Sequence, residues 1–72
     1  MSERNPLIYP KAGDVVVRAL STTPITVRTA GNQVEYYFGT GSEKYAHLRA
    51  MSLDSWREWL QGGSVVKRAE ES

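Results

Sequence analysis

ITVRTAGNQVEYYF, residues 25–38, has the pattern of two strands joined by a turn. Ile25, Val27 and Thr29 alternate with Thr26 and Arg28, the period of a half-buried strand. Gly31-Asn32 follows, and Gly accepts the positive φ that a two-residue primed turn requires. Residues 33–38 then form the return strand. The register this turn imposes sets Ala30 opposite Gln33, Thr29 opposite Val34, Arg28 opposite Glu35, Val27 opposite Tyr36, Thr26 opposite Tyr37 and Ile25 opposite Phe38. Apolar groups meet on one face and Arg28 meets Glu35 on the other, whereas a one-residue slip would spoil each pair.

Downstream, residues 44–50 alternate again, with Ala46, Leu48 and Ala50 on one face and Tyr45, His47 and Arg49 on the other. A five-residue loop, 39–43, sets Tyr36 opposite Ala46 and Val34 opposite Leu48 inside. Tyr37 then opposes Tyr45, and Glu35 opposes His47, outside. Odd loops with Gly at the special positions are common hairpin connections. The period changes after Met51: Leu53, Trp56 and Leu60 share one helical face, with Trp59 at its margin. Ser52 suits the N-cap, Asp54 the first turn, and Met51 can staple onto Trp56. Ser55 with Glu58 offers a competing capping box. Gly62-Gly63 ends the helix, and residues 64–67 suit a short closing strand.

Upstream, residues 14–20 are β-branched enough for a first strand, and STTP, 21–24, is a loop by composition. Pro6 and Pro10 make residues 1–11 an extended arm whose Leu7, Ile8 and Tyr9 dock on the domain. Residues 12–67 form a single small domain, and 68–72 a disordered, solvated tail. A meander that returns its last strand beside the first buries a two-faced strand such as residues 15–20. The element order and the KAGDVVV opening, residues 11–17, resemble the SH3-like small barrels. The expected fold is thus mainly β: an SH3-like small barrel or a curved antiparallel meander of about five strands, with one short helix before the last strand. The helix exceeds the single tight turn usual there, which favours the open, helix-packed form.

The chain has 72 residues, 40% hydrophobic and 24% charged, enough for one core and one domain. It has no cysteine and one His, which argues against disulfides, thiolate chemistry and structural zinc and points to a reducing cytoplasm. Residues 1–5 are polar with no apolar run behind them, unlike a signal peptide, and no apolar stretch approaches a membrane span. A net charge of +1 lacks the basic excess of duplex binders.

Catalysis finds little support. A lone His47 has no nucleophile paired with it by pattern, and Asp14, Glu35, Glu43, Asp54 and Glu58 fall on different elements. Gly39-Thr40-Gly41-Ser42 resembles a phosphate nest, yet it leads into a strand and lacks the Gly-Lys-Ser/Thr ending of a nucleotide loop. Arg57, Lys67 and Arg68 are a solvated fringe. What remains is an outer sheet face carrying Thr26, Arg28, Tyr37, Tyr45, His47 and Arg49, with Trp59 at the helix margin. Tyr and Arg dominate protein–protein hot spots. His47 opposite Glu35 would make a pH-sensitive contact.

The expected function is a non-enzymatic, cofactor-free and metal-free adaptor or accessory module. It binds another protein or a second copy of itself through Arg28, Tyr37, Tyr45, His47, Arg49 and Trp59. The alternative is a single-stranded nucleic-acid binder that stacks bases on the same aromatics, with Arg28, Lys44 and Arg49 on phosphates.

Overall fold

The computed structural model describes residues 4–40 and 47–71. These contain strands β1 (Val15–Val17), β2 (Ile25–Ala30), β3 (Gln33–Phe38), β4 (Arg49–Ser52) and β5 (Ser64–Lys67), with helix α1 (Leu53–Trp59) between β4 and β5. The strands form one antiparallel sheet in the order β4-β3-β2-β1-β5, so the last strand does return beside the first. Among the described residues no ladder joins β4 to β5, and α1 connects these two edges.

The 25–38 hairpin keeps the expected register at its far end: Ile25 pairs with Phe38, Thr26 with Tyr37 and Val27 with Tyr36. A bulge between Val27 and Thr29 then shifts the turn end, so that Thr29 faces Glu35 and Ala30 faces Val34. The extra residue is Arg28, and its guanidinium still lies 3.7 Å from the Glu35 carboxylate.

The second hairpin departs from expectation. Val34 pairs with Met51, Glu35 with Ala50 and Tyr36 with Arg49, three residues out of phase with the register drawn from the sequence. An odd shift swaps faces. The physical reason lies in burial: the register built on Ala46, Leu48 and Ala50 offers the core one large apolar side chain, whereas the observed one brings Met51 against it. Met51 is therefore a strand residue and not a helix staple. The same register hands Ser52 directly to α1, where its hydroxyl accepts from the Ser55 amide at 3.2 Å, the expected cap. The Leu53 amide donates to the Asn32 carbonyl, tying the helix start to the first hairpin turn.

The core lies between one sheet face and α1: Val16, Ile25, Val27, Val34, Tyr36, Trp56 and Leu60 are buried, with Leu7, Met51, Leu53, Trp59 and Val65 packed around them. β1 is shorter than expected but two-faced, since Val15 and Val16 are both buried. Gly62, at φ +79°, takes the left-handed turn after the helix. A Cβ on Gly63 would lie 2.5 Å from the Val17 carbonyl, so only Gly lets the chain enter β5 beside β1.

Residues 4–11 and 68–71 are held by contacts that the composition did not suggest. Residues 5–9 are not extended. The Ile8 and Tyr9 amides donate to the Asn5 carbonyl, and the Leu7 amide to Asn5 Oδ1. This is an Asx-type turn that Asn5-Pro6 could have signalled. Pro6 is buried and its carbonyl accepts from Trp56 Nε1 at 3.1 Å. Leu7 docks as expected, whereas Ile8 and Tyr9 stay exposed. Ala69–Glu71 is a 3₁₀ turn in place of a disordered tail. The helix lengths and compositions include none long and apolar enough to cross a membrane, among the described residues.

Candidate binding surface

The functional candidates separate into a clasp and an aromatic edge. The clasp centres on Asp14, which is buried and accepts four hydrogen bonds. Arg4 grips both oxygens at 2.6 and 2.7 Å, the Lys11 amide donates to Oδ2 at 2.7 Å, and the Ala69 amide donates to Oδ1 at 2.8 Å. Burial pushes this carboxyl up, but the Arg4 hydrogen bonds and the two amides outweigh it and hold the group below the ordinary carboxylate range. Arg4 also pairs with exposed Glu70 at 2.6 Å, and this bond lowers the Glu70 carboxyl to about 2. Donating to Asp14 and Glu70 pushes the guanidinium itself further up. Arg68 Nε donates to the Arg4 carbonyl. Arg57 Nε donates to the Ile8 carbonyl, and its guanidinium stacks 5.3 Å from the Tyr9 ring. Arg57 and Arg68 are therefore working contacts of the chain ends and not a solvated fringe.

The aromatic edge grows out of the core. Tyr36, Trp56 and Trp59 touch ring to ring at 5.2–6.2 Å, and Phe38 extends the group to the surface with its edge on Tyr36 and Trp59. Phe38, the last residue of β3, is 43% exposed although it touches Trp59 at the end of α1. Trp59, at the last turn of α1, is half-buried. Arg18 stacks 4.7 Å from the Trp59 ring and Arg49 5.4 Å from the Phe38 ring. Neither guanidinium makes an ion pair or hydrogen bond among the described residues. Each is held by a ring face, and both residues are exposed.

The sequence-derived set is split by this geometry. Arg49 and Trp59 join the edge. Tyr37 does not: it is 8% exposed, because β3 is an interior strand and the register sets this ring in one row with Thr26 and Val15. The expectation that it faces solvent is corrected. His47 is exposed just before β4 but Ala50, not His47, stands opposite Glu35, which instead accepts from Thr29 Oγ1 at 2.7 Å. Arg28 lies by Glu35, away from the edge in register. Tyr45 and Lys44 lie outside the described residues.

The sequence pattern does not single out Phe38 or Arg18. Parity places Phe38 inward, which is correct for its direction but silent about its exposure at the end of β3. Arg18 falls within the longer first strand that composition suggests, whereas β1 ends at Val17.

No family model, curated protein or solved structure matches this chain. Its function has to be argued from the surface itself.

Proposed function

We propose that the chain is a non-enzymatic protein-binding module whose contact surface is the edge formed by Phe38, Trp59, Arg18 and Arg49. The observation that carries this reading is the pair of guanidiniums stacked on aromatic rings with no acceptor among the described residues. Aromatic and Arg side chains are enriched at interface hot spots, and rings already packed into a core lose little freedom on binding. The clasp offers no comparable surface, since its polar groups satisfy one another.

The test is selection of random peptides on the immobilised full-length chain, followed by titration of the enriched sequences. Phe38→Ala should weaken them about tenfold or more, as for a central anchor, while the variant stays folded and loses only the stability of its two ring contacts, about 0.5–1.5 kcal/mol each. Absence of any Phe38-dependent peptide would overturn the proposal. Quenching of tryptophan emission by a single-stranded oligothymidylate, fading steeply with added salt, would replace it with the nucleic-acid reading. The net charge of +1 weighs against that alternative.

A further inference from the structure

Leu20 is out of place by every local rule. It is fully exposed, and it is the only residue other than Gly with positive φ, 61°, among the described residues. The Ser21 amide donates to the Arg18 carbonyl, closing a turn in which Leu20 holds the second central position. Gly or Asn normally takes that position, because a Cβ is strained there. Strain of this kind persists where surrounding structure imposes it, and it is concentrated at sites that do something.

The turn is held from both sides. Ala19 packs close to Gly62 and Arg18 close to Gly63, while the guanidinium of Arg18 lies on Trp59. At the far end of the loop the Pro24 carbonyl accepts from the amide of Gly39, the residue after Phe38. The 18–24 loop therefore starts at Trp59 and finishes beside Phe38, framing the aromatic edge, with Leu20 standing proud of it.

Resting on the binding role above, we propose that the partner is an acidic polypeptide segment whose carboxylates meet Arg18 and Arg49 and whose apolar side chain packs on Leu20. The charge argument is complementarity. Arg4, Arg28 and Arg57 each already lie against a carboxylate of this chain, and Arg68 donates to a carbonyl. Among the described residues Arg18 and Arg49 contact rings and no carboxylate, so their forks suit bidentate carboxylates supplied from outside. A phosphate backbone would also satisfy the forks, but it gives a bare leucine nothing to bury. An acidic peptide with an aliphatic or aromatic residue between its carboxylates satisfies all three groups.

The experiment takes the peptides selected on the wild-type chain and reads their composition, then titrates them against Leu20→Gly, Leu20→Asn, Arg18→Gln and Arg49→Gln. The enriched sequences should share Asp or Glu flanking an apolar residue. Both Leu20 variants should bind about tenfold more weakly, the loss of an interface anchor, while melting no lower than the wild type. Leucine kept only for folding would not give that combination. Each Arg variant should weaken binding and reduce its salt dependence. Peptides that need Phe38 but carry no acidic bias, or that ignore either the Leu20 or the Arg variants, overturn this proposal and leave the binding role standing. A selection that yields no peptide at all overturns both.

Discussion

The clasp and the aromatic edge use the same side chain for opposite ends. Arg4 sits on Asp14 and Glu70 and holds residues 4, 14 and 70 in one cluster, close to where the described chain starts and finishes. Arg18 and Arg49 sit on Trp59 and Phe38 and join nothing else among the described residues. A small domain has a thin core and needs fastenings. With no cysteine in the chain, a buried carboxylate ringed by four donors does part of the work that a disulfide does elsewhere. An arginine's role here is set by its nearest neighbour: a carboxylate makes it a strut, and a ring leaves it available.

The hardest way to strain this contrast is to remove the hub. Asp14→Ala strips Arg4 of its buried partner and leaves the Lys11 and Ala69 amides without their acceptor. Breaking a buried pair costs about 3–5 kcal/mol. A domain of this size has a total stability of only roughly 4–11 kcal/mol, so urea unfolding should show most of it gone. Acid reaches the same group. The folded carboxyls of Asp14 and Glu70 lie below their ordinary values, Glu70 at about 2. The folded state therefore binds fewer protons than the unfolded one in this range, and the clasp's contribution is fully present above the ordinary carboxylate values. It is lost as pH falls from there through the depressed ones. Melting curves should slip downward below about pH 4.5, where Glu70 takes up a proton in the unfolded chain but, held at about 2, not yet in the folded one, and Asp14→Asn should flatten that slope. A wild-type midpoint that is level to pH 2.5 would remove Asp14 from its role.

Trp56→Phe comes next in size. It keeps most of the buried ring but removes Nε1, which donates to the Pro6 carbonyl at 3.1 Å. A buried acceptor left unpaired costs about 1–3 kcal/mol. Faster amide exchange should appear at Leu7–Tyr9 before the sheet responds, because the arm is what Nε1 holds. Equal protection in the two proteins would show that the arm is fastened by Arg4 and Leu7 without it.

Much of the fold is legible along the chain because local and global preferences agree there. β3, β5 and the Ser52 cap carry unambiguous signals: alternation, flanking Gly, and a hydroxyl just before a helical stripe. The second hairpin is not legible, because residues 44–50 alternate well enough to fit a register that the core does not choose. Only the three-dimensional demand for Met51 beside Val34 decides it. The clasp could not be foreseen either. It joins residues 4, 14 and 70, separations at which a single sequence carries no pairing signal. The candidate surface is half legible: the helical stripe picks out Trp59, whereas Arg49 is placed by a register the core does not choose, and neither pattern reports the burial of Tyr37 or the exposure of Phe38.

Smaller effects belong to the edge. Arg18→Gln and Arg49→Gln each give up one exposed stacking contact, worth about 0.5–1 kcal/mol. Thermal unfolding should therefore change little for either, in contrast to any change at Asp14. A loss as large as the clasp's would mean that these guanidiniums are struts after all, and the division between the two regions would dissolve.

The smallest effect has the opposite sign. Leu20→Gly removes a fully exposed side chain, so no buried area is lost. It relieves a left-handed backbone that costs a residue with a Cβ roughly 1–2 kcal/mol. Against this, glycine adds unfolded-chain freedom of roughly 0.5–1 kcal/mol. The balance is a gain of about 0.5 kcal/mol, visible as a slightly raised urea midpoint with an unchanged slope. If the midpoint falls instead, Leu20 contributes to holding its own turn, and its exposure no longer argues for an external contact. If it rises, folding alone does not account for leucine at that turn, and the edge gains its apolar member.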